Sequence, residues 1–313
     1  MSNAYGSWRS PVTPSHVAAS GIEISELRTN DSHWYWLELR PLEGGRSTIV
    51  RLESSGAVKE VIPQELSARS RVHEYGGGSY CLNDAHLWLV NARDQNIYQV
   101  SLDDPNECEC LTSGDDSERF ADLQKDRRRE RLIAIREFHR AEGEPVNDLV
   151  AIDTGAGNIA VLAEGHDFYM SPALSGDGAR LAYVAWDHPN MPWDGSYLYV
   201  ADVLDDGGLG NSRVLAGGEN ESIVQPTWGA NGALLYLSDK YGFWNLFGTD
   251  SDLEVCPLLL KPAEYGGPAW VFGLRSFGVC EDGTVLAART RDGTTDLVSV
   301  DSTRHSERSI HAG

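Results

Sequence analysis

The sequence predicts an all-β protein, a β-propeller of four-stranded antiparallel blades, from three observations. A short polar turn followed by an alternating apolar strand recurs six times along the 313 residues, at intervals of about fifty residues that suit a repeat architecture. Each repeat holds several short strands of period-two patterning bounded by Gly, Asp or Asn. A helical period of 3.6 is almost nowhere to be found.

The turns fall at Asn30-Asp31, Asn83-Asp84, Asp126-Arg127, Asp177-Gly178, Asn231-Gly232 and Asp282-Gly283. Strand-like runs follow them at residues 33–37, 86–90, 131–135, 181–184, 234–237 and 285–288. Third strands are expected at 96–100, 148–153 and 197–202, and fourth strands at 158–162 and 212–215. Inner strands are expected at 22–27, 75–82, 120–123, 169–174, 223–228 and 271–279. Four short strands per repeat match a propeller blade. Residues 1–20 form a separate segment, with one short helix capped by Thr13, opened by Pro14 and running to Ala19. The propeller is expected to occupy residues 21–313. Either six blades close the ring, or a seventh belongs to a longer chain.

A net charge of −21 argues against a nucleic-acid partner, which calls for clustered Lys and Arg. It fits plain solubility, or a preference for cationic groups such as a peptide amino terminus. Five Cys show no disulfide-framework spacing, and Cys108-Glu109-Cys110 is too tight for half of a usual zinc ribbon. Free thiols, a polar start without an apolar run and the lack of a membrane-length apolar stretch give the expectation of a cytoplasmic protein with no membrane partner.

Strand direction sorts the loops onto two faces. In an a-b-c-d blade the a–b and c–d turns share one end, and the b–c and d–a loops share the other. The regular Asp and Asn turns belong to the first end. The second collects the aromatics, His and carboxylates, a concentration in loops that marks a binding face. Glu74, Tyr75, Trp186, His188, Trp193, Trp244, Glu264 and Trp270 are the candidate binding or domain-interface residues on it. Glu74-Tyr75-Gly76-Gly77 echoes Glu264-Tyr265-Gly266-Gly267, each read as either a site carboxylate or a Glu holding backbone amides at a strand entrance.

Catalytic machinery is not found. No Gly-x-Ser-x-Gly elbow is present, and the nine His form no metal-binding spacing. His166-Asp167 and Asp187-His188 read as structural, because adjacent residues usually point apart. Gly76-Gly77-Gly78 lacks the Lys and helix of a phosphate cradle and reads as backbone packing. The expectation is no catalytic residue, no metal and no cofactor in this chain.

Tyr5-Gly6-Ser7-Trp8-Arg9-Ser10-Pro11, the Arg71–Gly78 run and Trp186-Asp187-His188-Pro189-Asn190-Met191-Pro192-Trp193-Asp194-Gly195 carry a family resemblance. Glu221-Ser222-Ile223-Val224-Gln225-Pro226 and Gly267-Pro268-Ala269-Trp270-Val271-Phe272-Gly273 extend it. Together they resemble the amino-terminal propeller of bacterial prolyl oligopeptidase family serine peptidases, of the acylaminoacyl-peptidase and dipeptidyl-aminopeptidase-like branch. The resemblance implies a usual count of seven blades. It also implies a partner α/β-hydrolase domain holding a Ser-Asp-His triad, to which none of these residues corresponds. The propeller would gate and filter short peptide substrates for that domain and be inactive alone. A reading from another class is a stand-alone TolB-like propeller, a non-enzymatic protein-interaction module.

Overall fold

The computed structural model describes residues 4–13, 21–30, 32–115, 117–250, 252–301 and 305–310. Its strands form six four-stranded sheets, each built from consecutive antiparallel strands. Blade A holds β1 (Glu23–Thr29), β2 (Trp34–Arg40), β3 (Arg46–Leu52) and β4 (Val58–Glu60). Blade B holds β5 (Tyr80–Leu82), β6 (His86–Val90), β7 (Ile97–Ser101) and β8 (Cys108–Cys110). Blade C follows with β9 (Glu118–Asp126), β10 (Arg131–Phe138), β11 (Val146–Asp153) and β12 (Ile159–Ala163). Blade D has β13 (Phe168–Leu174), β14 (Arg180–Trp186), β15 (Ser196–Asp202) and β16 (Arg213–Gly218). Blade E has β17 (Ile223–Trp228), β18 (Leu234–Ser238), β19 (Asn245–Thr249) and β20 (Val255–Leu259). Blade F closes the series with β21 (Phe277–Val279), β22 (Val285–Arg291), β23 (Thr294–Asp301) and β24 (Ser306–Ser309). The expected helix near Pro14 lies outside the described residues, and no described helix is long and apolar enough to cross a membrane.

The repeating turn has one chemical cause. Asn30, Asn83, Asp126, Asp177, Asn231 and Asp282 each accept, on a side-chain oxygen, a backbone N–H two or three residues ahead. Such a side chain imitates a backbone turn and reverses the chain at small cost.

Inner strands carry a second device. Glu26, Asp122, Ser171 and Gln225 sit at positive φ where the pairing with the second strand shifts register. The left-handed region is costly for side chains other than glycine. Here it aims three side chains at the next blade. Glu26 accepts the N–H of Ser79 (2.9 Å), Asp122 that of Ser171 (2.7 Å) and Gln225 that of Ser276 (2.7 Å). These contacts join A to B, C to D and E to F around the axis.

Four apolar clusters fill the interfaces A–B, B–C, C–D with D–E, and E–F. No such cluster among the described residues spans F and A. Tyr35 and Leu37 fill the A–B core, so Trp34 and its strand neighbours face the other way, and Trp34 and Ile24 are exposed. Leu297 of β23 is likewise exposed on the side of blade F turned from blade E.

Two inner strands are shorter than the sequence suggests. β5 starts at Tyr80 and β21 at Phe277, because the residues before them leave their blades and meet each other. Phe272 donates its N–H to the Gly76 carbonyl (2.9 Å), and Gly77 and Phe272 form a parallel bridge. The connection from blade E to blade F is thus a strap stitched to the connection between blades A and B.

Candidate functional site

The b–c and d–a loops surround a cavity of about 410 Å³. Six of the eight candidate residues line it: Glu74, Tyr75, Trp186, His188, Trp193 and Trp270. Strand direction and the loops themselves therefore suffice to bring these residues together from blades B and D and from the strap.

The floor is aromatic. Phe168 and Trp186 stack at 5.1 Å between centroids, and His73 meets Phe168, Trp186 and Phe272 at 5.1, 5.9 and 5.0 Å. Burial pushes the His73 imidazole below its ordinary pKa, which favours the neutral ring. Its Nε2 faces Asn147 Oδ1 at 3.2 Å. His73 and Glu74 both have positive φ, so the loop turns sharply before the three glycines. A Cβ on Gly76 would stand 2.1 Å from the Ser70 carbonyl oxygen, and one on Gly77 would stand 2.3 Å from that of Phe272. Only glycine fits there.

Carboxylates ring the wall. Glu74, Glu137, Glu144 and Asp167 line the cavity, and no Lys or Arg does so among the described residues. Arg119 stands behind, at 2.6 Å from Glu74 and 3.3 Å from Glu137. Its guanidinium holds the Glu74 carboxyl below the usual carboxylate range.

His166-Asp167 and Asp187-His188 do point apart within each pair, yet they interlock. The register that pairs Phe168 with Trp186 sets the two dipeptides side by side. His166 Nδ1 then meets Asp187 (2.8 Å) and His188 Nδ1 meets Asp167 (2.9 Å). Asp167 also accepts the backbone N–H of His188, and the two bonds keep its carboxyl below the usual range. With Nδ1 engaged, His188 presents its other ring nitrogen at the cavity wall.

Trp244 and Glu264 lie outside the cavity. For Trp244 the structure corrects the expectation of a binding or domain-interface residue: at 9% exposed, it packs in the core between blades E and F with Tyr265 and Leu237. Glu264 accepts the Trp244 N–H at 2.7 Å, which is the amide-holding role. The two Glu-Tyr-Gly-Gly segments thus diverge. Tyr75 is open at the cavity, whereas Tyr265 is fully buried against Glu307. Glu144, Asn147 and Phe168 also line the cavity, and the sequence did not single them out. Their signal is only membership in a b–c or d–a loop beside an aromatic.

These features define a six-bladed β-propeller with an acidic aromatic cavity of ligand size. No family model matches the chain and no curated protein matches it. Among solved structures, a puromycin hydrolase is 29% identical over 98% of this chain and 50% of its own, with a TM-score of 0.91. A Mycobacterium tuberculosis puromycin-hydrolyzing peptidase is 30% identical over 98% of this chain and 49% of its own, with a TM-score of 0.89. A prolyl endopeptidase shares the fold at 11% identity, over 93% of this chain and 43% of its own, with a TM-score of 0.67. The chain spans about half the length of the puromycin-hydrolysing enzymes it matches. It is similar to the propeller portion of these puromycin-hydrolysing enzymes and shares its fold with that of the prolyl endopeptidase.

Proposed function

We propose that this propeller caps the α/β-hydrolase domain of a serine peptidase acting on short peptides, and that its cavity receives the substrate end bearing a free amino group. The observation that carries the reading is the lining: four carboxylates over an aromatic floor, with no Lys or Arg. An ammonium gains from both, through Coulomb attraction and through the faces of aromatic rings. An acylated terminus gains only the apolar contact. Within the branch that the sequence resembles, this favours aminopeptidase-like over acylaminoacyl specificity.

The filter acts at the cavity mouth. Ala269 and Val271 of the strap line both this cavity and a smaller one nearer the axis, so the strap stands between substrate and axial channel.

Titration of the purified chain with Phe-Gly-Gly and with its N-acetyl form, followed by tryptophan fluorescence, tests the reading. The free amine is expected to bind at least about ten-fold more tightly, a difference of about 1.4 kcal/mol. Equal affinities, or tighter binding of the acetylated form, would overturn it.

A further inference from the structure

The strap leaves a second compartment beneath it. Arg275 lines the small cavity of about 210 Å³ next to the strap and also the cavity of about 280 Å³ opening among the a–b turns. Its guanidinium therefore stands at the junction of the two, in the throat of the axial channel. Protein surrounds it, yet it stays open to water in the lumen. Among the described residues it has no hydrogen bond or ion pair, unlike Arg40, Arg46, Arg119, Arg131, Arg136 and Arg289, which are all bonded to carboxylates.

Arg28 is the second cation of this throat. It lies over the Tyr80 ring at 5.7 Å and reaches Gly273 in the strap, with no carboxylate within ion-pair distance. The two acids that could neutralise the pair are committed elsewhere. Glu26 is turned to the N–H and hydroxyl of Ser79, and Asp122 to the N–H of Ser171. Burial raises the pKa of both carboxyls, and burial together with Arg28 lowers that of Arg275. Burial sets both shifts, and the two guanidinium groups stay without an ion pair to a carboxylate among the described residues. A cation in such a position gains most from an oxyanion with two or more acceptor oxygens.

We propose that the axial channel below the strap is an oxyanion site, in which Arg275 and Arg28 bind a carboxylate or a phosphate that enters among the a–b turns. It is separate from the acidic cavity in charge and in entrance, and it lies at the face that the repeat pattern marks as plain turns. The chemistry shared by the two ligand sources is a delocalised oxyanion facing two guanidinium groups.

Isothermal titration of the purified chain with inorganic phosphate tests the site, with competition by triglycine and by triglycine amide to separate the sources. Saturable phosphate binding that falls at least about ten-fold in Arg275→Gln is expected. Displacement of phosphate by triglycine but not by its amide assigns the site to a peptide carboxylate. No displacement by either assigns it to phosphate. Arg28→Gln gives a second reading should Arg275→Gln fail to fold, and Arg213→Gln, on the exposed outer strand β16 away from both cavities, is expected to bind as wild type. No saturable binding of phosphate or triglycine by the wild type, or unchanged binding in both throat variants, would sink the proposal.

Discussion

Phe272 and Gly76 are joined through their backbones at 2.9 Å, although they belong to different interblade connections. The bond needs a carbonyl and an amide to approach with no side chain between them, and the glycines beside it supply the room. Gly77→Ala should cost at least about 2–3 kcal/mol, combining strain at positive φ with a clash against backbone. Gly283→Ala has the same strain but open space around it. Its expected cost is about 1 kcal/mol, and urea unfolding of both variants checks the order.

Trp193 and Trp270 meet at 4.2 Å above the cavity, whereas Trp244 is in the core. Trp193 is only half-buried at the edge of that core, so Trp193→Ala is expected to cost clearly less stability than Trp244→Ala. Trp193→Ala should weaken association with a separately expressed hydrolase domain by about 1–3 kcal/mol, as interface truncations do. Trp244→Ala should instead lower stability by about 3–5 kcal/mol, the usual cost of emptying a buried tryptophan site. Melting temperature and binding titration, measured on both variants, separate the two roles.

The Asp167 carboxyl is held low, first by the backbone N–H of His188 and then by its ring. A depressed folded pKa stabilises above the unfolded value of about 3.9 and loses that contribution as pH falls through the folded value. Asp167→Asn should therefore be less stable than wild type by up to about 1 kcal/mol at neutral pH, the limit for a partly exposed pair. The difference should shrink as pH falls below about 4 and vanish only below the depressed folded value. A gap that persists in acid would assign the effect to packing.

Asp122 behaves in the opposite sense. Burial raises its folded pKa, so its stabilising contribution is complete below the unfolded value and is lost as pH rises through the folded one. Asp122→Asn keeps an acceptor for Ser171 and should gain on wild type between about pH 4 and pH 8. Asp122→Ala leaves that N–H without a partner and should cost about 1–3 kcal/mol. Chemical denaturation at both pH values measures each.

The blades were legible because their signal is local. An Asn or Asp two residues before an alternating run is both the turn and the repeat mark. β17 was foreseen in full, at residues 223–228. The early starts expected for β5 and β21 were not met, since glycine and aromatic residues before a strand look alike whether they pair within the blade or cross to a strap. The site was half legible. Strand direction placed Tyr75, Trp186, His188, Trp193 and Trp270 at one end, but it could not say which indole turns inward. Trp244 is buried because Glu264 fixes its backbone and Tyr265 covers its ring, both contacts made by a segment beyond its own strand. The crossed His–Asp pairs were hidden for the same reason: their partners lie across a register, not along the chain.

Each sheet of the molecule is made from one uninterrupted stretch of chain. No strand is exchanged between blades, so nearest-neighbour packing, helped by the strap that joins the A–B and E–F connections, holds the array together. Blades C and D have a neighbour on both flanks, whereas A and F share a packed core on one flank only. Cooperativity should therefore weaken toward the two outer blades, and amide exchange should be slowest in β10 and β14 and fastest in β1 and β24. The two outer blades are thus the members expected to loosen first.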